Sequence, residues 1–321
     1  MIFENLPTTP RSEELIDKAF SRAARSGRAK SGLEAQQSML TTASNILSDN
    51  LENVVTAWPD FSTVDPFYYE LADAIVDVDA VRQSLNEVTW ASRKTKEISD
   101  EYQPKVRKTD ADTARKFRKQ AFARMADVVE EIEADLLVLG EARDELKTLP
   151  DIDPDEPAIV VAGYPNVGKS SFVNAITAAR GETASYPFTT KGIGVGHFKR
   201  GHLRYQIVDT PGLLDRPEEE RNDIEAQAVS ALTHLADCVL FLVDASGDCG
   251  YPLDSQLELL AEVESRFDDV PVFTICNKSD RSTDVDADAY MSITEDENVD
   301  AVRDMAVDAI DYEPGIPYEE N

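Results

Sequence analysis

An α-helical N-terminal bundle followed by an α/β domain with a mainly parallel sheet is the fold class the sequence predicts. Three observations carry it. Apolar residues recur at three- and four-residue spacing from about Ser12 to Leu146, the period of a helix with one buried face. After Pro157 the rhythm changes to short apolar runs separated by helical patterns, the mark of a parallel sheet covered on both faces. Between the two lies Leu149-Pro150-Asp151-Ile152-Asp153-Pro154-Asp155-Glu156-Pro157, a proline-rich acidic connector of the sort found at domain boundaries.

The elements follow in order. Ile16, Ala19, Phe20 and Ala23 form a first helical stripe. Leu40, Ala43, Ile46 and Leu47, continued by Leu51, Val54 and Val55, form a second. A turn around Pro59 to Pro66 breaks the pattern. Helical spacing returns over Phe67–Val76 and again from Ala80 to about Tyr102. The stretch Asp110–Lys147 holds no proline and one glycine, Gly140, and reads as one long helix or two joined ones. Several such stripes are buried most simply in an antiparallel bundle. Strand-length runs then occupy Ala158–Gly163, Ile193–Phe198, Tyr205–Asp209, Cys238–Asp244 and Val270–Asn277. Helical patterns fill Lys169–Ala179, Glu218–Leu235 and Asp254–Phe267. The expected division is a helical domain at 1–150, an α/β domain at 151–312 and an acidic tail at 313–321.

Composition narrows the classes. The 321 residues, 42% of them hydrophobic, suffice for two domains with real cores. The longest clear apolar run, Cys238 to Val243, has strand length and falls far short of a membrane span. The opening MIFENLPTTPRS lacks the charged-then-apolar pattern of a secretory signal. Cys238, Cys249 and Cys276 have no metal-ligand spacing, and they read as reduced thiols of a cytoplasmic protein. His197, His202 and His234 form no ligand pattern. A formal net charge of −30, from 62 acidic and 32 basic residues, suggests a surface adapted to molar salt. At about 1 M the Debye length is about 3 Å, so the global charge no longer decides what binds. Neither DNA nor a membrane is an expected partner.

The chemistry begins at Gly163-Tyr164-Pro165-Asn166-Val167-Gly168-Lys169-Ser170, which matches G-x-x-x-x-G-K-[ST] between an apolar strand and a helix. Glycines let backbone amides turn toward phosphates, and the helix start adds its positive dipole end. Asn166, Val167, Gly168, Lys169, Ser170 and Ser171 are therefore expected to hold a nucleotide's phosphates. Within that set Lys169 serves the β- and γ-phosphates, and the Ser170 hydroxyl serves Mg2+. Asp209-Thr210-Pro211-Gly212 ends another apolar strand and fits D-x-x-G, with Asp209 for the Mg2+ shell and the Gly212 amide as sensor of the γ-phosphate. Asn277-Lys278-Ser279-Asp280 fits N-K-x-D at the end of a third. The Asp280 carboxylate can accept from guanine N1–H and the 2-amino group. Adenine offers neither donor, so the three motifs together select GTP and GDP over ATP. The second domain is on these grounds an α/β P-loop GTPase domain. In the loop Tyr186–Lys191, Thr190 is expected to reach Mg2+ and the γ-phosphate when GTP is bound, with Thr189 as the alternative. Ser292 is expected to place a backbone amide near guanine O6. Leu213 follows Gly212 where many switch GTPases carry a water-orienting glutamine, so slow intrinsic hydrolysis aided by a partner or a cation is expected. The other readings are a GTP-occupancy sensor and a signalling regulator acting on a protein partner, either with negligible turnover.

The runs GYPNVGKSSFVNAIT, YPFTTKGIGVGHF, LRYQIVDTPGLLDRPEEERNDIEAQA and CGYPLDSQLELL, with WPDFSTVDPFYYELADAIVDVDAVRQSL in the helical part, resemble the NOG-type nucleolar GTP-binding proteins, relatives of the Obg GTPases. That resemblance covers nearly the whole chain. It implies a part in assembly of the large ribosomal subunit, the helical bundle contacting precursor rRNA and ribosomal proteins. In related GTPases an asparagine at the position of Asn166 accompanies a potassium ion beside the phosphates, which implies K+ stimulation; a turn-stabilising amide is the alternative. Two departures stand out. The sequence stops soon after the G domain, where eukaryotic members carry a long basic extension. Only Arg281 to Met291 separates N-K-x-D from Ser292, so the usual helix there is expected to be reduced or missing. From Arg93 to Arg124 there are 11 basic and 5 acidic residues, a net of +6 in a chain of net −30, which points independently to phosphate binding.

Overall fold

A computed structural model describes residues 2–149, 152–177, 182–184 and 193–310. The chain forms two compact units. One comprises Ile2–Thr63 with Val76–Lys147, and the other joins Val64–Ile75 to the chain from Thr148 onward.

The helical unit contains α1 (Ser12–Arg28) and α2 (Gly32–Thr56). The next helix along the chain, α3 (Pro66–Ile75), belongs to the other unit. The helical unit resumes with α4 (Val78–Arg107), α5 (Ala111–Glu131) and α6 (Glu133–Leu146). The stripes read from the sequence are its core: Ala19 and Ala23, Leu40, Ala43, Leu47 and Leu51 are all buried. They meet Val88, Ala91 and Ile98 of α4 and Met125 and Val129 of α5, also buried. Small residues let α2 and α4 run close together. Ser44 Oγ donates to Thr95 O at 3.2 Å, and Ser92 Oγ donates to Ser48 O at 3.1 Å, so the buried hydroxyls are satisfied across the seam. The stretch after Asp110 is two helices, α5 and α6, with a break at Ile132. Helix α4 runs past Tyr102 and through Pro104 to Arg107. Pro104 lies on the exposed face, where a helix tolerates the loss of one backbone bond better than it does in the core.

The second unit is built on β1 (Ala158–Ala162), α7 (Lys169–Ile176), β2 (Glu182–Ala184), β3 (Ile193–Arg200), β4 (Leu203–Asp209), α8 (Asp223–Leu235), β5 (Cys238–Val243), α9 (Leu253–Arg266), β6 (Val272–Cys276), β7 (Ala289–Tyr290) and α10 (Val299–Ala309). The sheet order is β2-β3-β4-β1-β5-β6-β7. β3 is antiparallel to β2 and β4, and every other pairing is parallel. In the centre Val160 lies between Val208 and Val239. All residues of β1 and β5 are buried, as expected of strands with helices on both faces.

Two helix ends differ from the sequence reading for local reasons. Helix α8 begins at Asp223, not near Glu218, because Asn222 caps it: Asn222 Oδ1 accepts from Glu225 N at 2.9 Å while Glu225 Oε2 accepts from Asn222 N at 3.0 Å. Helix α7 ends at Ile176, and Thr177 turns extended with its hydroxyl on Val173 O at 2.7 Å. Between β6 and β7 the residues are helix-free. Strand β2, strand β7 and helix α10 have no counterpart in the sequence reading. The acidic tail lies outside the described residues.

Helix α3 packs on α8. Its Glu70 meets His234 Nε2 at 3.0 Å, and Asp73 accepts from Gln227 Nε2 at 2.9 Å. The buried Tyr68 donates its hydroxyl to Ile152 O, so α3 is also tied to the connector before β1.

Candidate nucleotide-binding site

Every motif singled out in the α/β half that lies within the described residues sits at the carboxyl edge of the sheet. Gly163 follows β1, Asp209 ends β4, Asn277 follows β6 and Ser292 follows β7. Ligands of open α/β sheets bind at this edge.

The loop from Gly163 to Lys169 owes its course to residues that tolerate positive φ. Gly163 has φ +124°, and a Cβ there would collide with the carbonyl of Leu242 on β5. Gly168 has φ +111°, and a Cβ would strike the Asn277 side-chain nitrogen. Asn166 also takes a left-handed conformation, φ 64°, and its Nδ2 lies 3.4 Å from Cys249 O. Lys169 is 6% exposed. Its ammonium donates to Gly163 O at 2.6 Å and Tyr164 O at 3.0 Å, which aims it back over the loop. Helix α7 starts at this lysine, so amides and dipole point into the same space. A cleft of ≈330 Å³ opens here, lined by Asn166, Lys169, Ser170, Ser171, Pro211 and Asp215 among others.

Ser170 and Asp209, the two residues read from the sequence as Mg2+ partners that fall within the described residues, lie side by side. The Ser170 hydroxyl donates to Asp209 Oδ2. Asp209 is buried, and its Oδ1 is buried without a hydrogen-bond partner. Burial pushes the Asp209 carboxyl up; the Ser170 hydroxyl and Lys169 work against this, and the Asp215 charge adds to it. A buried carboxylate oxygen left unpaired is costly, and a hard divalent cation held by serine and aspartate oxygens would offset that cost. Thr190 and Thr189 lie outside the described residues.

The loop after β4 is fixed from below. Leu213 and Leu214 are fully buried, and Leu214 O accepts from Gly163 N at 3.0 Å. The Leu213 side chain thus points into the core and can order no water in the cleft. Gly212, with φ +85°, donates its amide to Asp215 Oδ2 at 2.8 Å. Arg216 Nη2 holds the Gly212 carbonyl at 3.2 Å and the Glu225 carboxylate at 2.6 Å.

The base-side motif is locked to the phosphate side. Asn277 Nδ2 donates to Val167 O at 2.7 Å. Lys278, at φ 57°, pairs with the fully buried Asp244 at 2.6 Å. Burial alone would raise the Asp244 carboxyl; Lys278 and Ser246 outweigh it and hold it below the ordinary carboxylate range. Asp244 also accepts from Cys249 N at 2.8 Å, and Gln256 Oε1 accepts from Asp244 N at 2.8 Å. Asp280 receives the Ser292 hydroxyl on Oδ1 at 2.6 Å. That leaves Oδ2, with Arg281 Nε 3.8 Å away.

Ser292 therefore does work that the sequence reading did not assign to it. Its amide is spent on Glu297 O at 3.0 Å, and its buried side chain orients Asp280. The next residue, Ile293, reaches toward Gly168, and its amide follows directly on the one Ser292 spends. Asp244, Gln256 and Asp215 were also missed. Asp244 closes an apolar run as Asp209 does, which was a usable signal; the other two had none. The three cysteines are free and buried, and burial raises the thiol of Cys238 to about 12. No cluster of metal-binding side chains occurs among the described residues.

A glycine loop opening a helix, a buried lysine folded over it and a carboxylate poised at the next loop define a P-loop nucleotide-binding protein with the fold of the GTPases. Comparison with known proteins carries this further. The family model of the NOG1 N-terminal helical domain matches residues 3–153, and that of nucleolar GTP-binding protein 1 (NOG1) matches residues 223–280. An uncharacterised protein of Methanocaldococcus jannaschii is 38% identical over 288 residues, which is 87% of this chain and 81% of its own length. Nucleolar GTP-binding protein 1 of Drosophila melanogaster is 38% identical over 239 residues, 74% of this chain and 37% of its own length. A crystal structure described as nucleolar GTP-binding protein 1 from Plasmodium falciparum is similar at 32% identity and a TM-score of 0.46, covering 50% of this chain and 90% of that one. The chain belongs to the NOG1 family of nucleolar GTP-binding proteins. It spans 34% to 52% of the length of such eukaryotic relatives as those of Arabidopsis thaliana and Eremothecium gossypii.

Proposed function

We propose that this protein binds and hydrolyses GTP as a switch in assembly of the large ribosomal subunit. The observation that carries the nucleotide part is Asp280, held by the Ser292 hydroxyl at 2.6 Å beside a phosphate cradle tied to the same motif through Asn277 and Val167. In this reading Asn166, Val167, Gly168, Lys169, Ser170 and Ser171 hold the phosphates, while Asn277, Lys278 and Asp280 build the base pocket. The Ile293 amide takes the place beside guanine O6 that Ser292 cannot fill. Ser170 and Asp209, with Thr190, would hold Mg2+, which when bound neutralises charge on the phosphate oxygens. Lys169, Thr190 and the Gly212 amide serve the γ-phosphate. With Leu213 turned inward, hydrolysis is slow until a partner or K+ near Asn166 supplies positive charge, an effect worth about 10³–10⁵ in rate when supplied in trans.

The ribosomal part rests on the relatives' nucleolar naming and on charge in the helical domain, residues 1–150. Lys94, Lys96, Lys105 and Arg124 are engaged by Glu97, Glu52 and Glu101. Arg107, Lys108, Arg115, Lys116 and Lys119 are exposed at the facing ends of α4 and α5, a cationic end suited to RNA phosphates. No helix among the described residues is long and apolar enough to cross a membrane. The acidic surface and the cytoplasmic setting belong to the same proposal.

Single-turnover hydrolysis with and without large ribosomal subunits, in KCl and in NaCl at equal ionic strength, tests it. The proposal expects acceleration by subunits and by K+. Equal rates in the two salts remove the potassium role. Turnover that stays negligible with subunits present favours the occupancy-sensor reading, which the buried Leu213 supports.

A further inference from the structure

The Gly212 amide has a tenant inside the chain. Asp215 Oδ2 accepts it at 2.8 Å, three residues on in the same turn. The carboxylate is not there by looseness. Leu213 and Leu214 amides both bond to Thr210 O, at 3.2 and 3.4 Å, and the two side chains are fully buried. Asp215, the next residue, stands at the rim of the cleft that holds Lys169 and Ser170. On its other side the Gly212 carbonyl is gripped by Arg216, itself anchored on Glu225. The N–H and the carbonyl of this one residue, which belong to successive peptide groups, are thus bound by neighbouring side chains of opposite charge.

We propose that Asp215 is an internal competitor for the γ-phosphate and sets the preference of this protein for GDP over GTP. This rests on the nucleotide reading above, in which the Gly212 amide meets the terminal phosphate. A single N–H cannot serve a carboxylate and a phosphate oxygen together. The two anions also repel at contact distance in a cleft walled by protein. GTP must therefore evict Asp215, whereas GDP, with no third phosphate, leaves it in place. Eviction breaks the Asp215 contact while Arg216 keeps its hold on Glu225 in the first turn of α8.

The test compares the full chain with Asp215→Ala and Asp215→Asn, titrating GDP and a non-hydrolysable GTP analogue in the presence of Mg2+. The alanine variant loses the acceptor, and the asparagine variant keeps the shape but loses the charge. The expected result is analogue binding tightened about tenfold by alanine and tightened less by asparagine, with GDP affinity unchanged. Analogue affinity that stays the same or weakens in both variants overturns the proposal, as does equal tightening of GDP. In either case the nucleotide reading survives, since the wild type still takes up GDP. A wild type that binds neither nucleotide removes that reading and the competitor with it.

Discussion

At the scale of single residues, Ser292 aims the Asp280 carboxylate, the group proposed to choose the base. A carboxylate can discriminate guanine from adenine only if it is aimed, and the fully buried Ser292 hydroxyl fixes one Asp280 oxygen. Ser292→Ala is expected to weaken GDP binding about tenfold, the worth of one hydrogen bond to a charged group, without creating affinity for ADP. A calorimetric titration of the variant checks this, and an unchanged Kd would show that Asp280 needs no such support. The motifs themselves were legible because glycine, lysine and aspartate at fixed spacing have few other uses. The division of labour around them was not. Nothing in a linear sequence shows that the Ser292 amide is spent on Glu297 or that Asp215 folds back onto Gly212, because both depend on turns closed by tertiary contacts. Thr190 lies outside the described residues.

At the scale of elements, ends are set by short-range chemistry and places by packing. Asp110 caps α5, its Oδ1 accepting from the amides of Asp112 and Thr113, each at 3.0 Å. The Thr113 amide, then the Thr113 side chain, hold this carboxyl down at about 2. A group depressed in the folded state stabilises above its ordinary value, near 3.8, and loses that contribution as the pH falls through about 2. Asp110→Ala should therefore unfold at a lower temperature than the wild type at pH 7, and the gap should shrink between about pH 4 and pH 2. A gap that stays constant over that range contradicts the capping account. Helical periodicity gave the stripes of α1, α2, α4 and α5 because each buries one continuous face. It could not show that α3 clusters with the α/β unit. The stripe of α3 looks like its neighbours' in sequence, and only its pairing with α8 through Glu70–His234 and Asp73–Gln227 separates it. Two joined helices over Asp110–Lys147 were one of the two sequence readings, but the place of the break, Ile132, was not legible, since no proline marks it.

At the scale of the whole molecule, a net charge of −30 makes solvent part of the design. Self-repulsion of that size opposes compactness at low ionic strength and is screened when the Debye length drops from about 10 Å at 0.1 M to about 3 Å at 1 M. Thermal unfolding followed in 0.1 M and in 2 M KCl should show a clearly higher midpoint in the concentrated salt, and equal midpoints would speak against salt adaptation. The same screening weakens any contact between the cationic end of the helical unit and RNA. Recognition by shape and hydrogen bonds must then carry more of that interaction than charge does. The nucleotide pocket is less exposed to this trade, because Lys169, Asp209 and Asp244 are buried and screened little by salt. Its base preference gives the most direct measurement: titration of the full chain with GDP and with ADP in the presence of Mg2+. One site per chain for GDP and no heat from ADP is the expected result; no uptake of GDP, or displacement of GDP by ADP, would contradict the account.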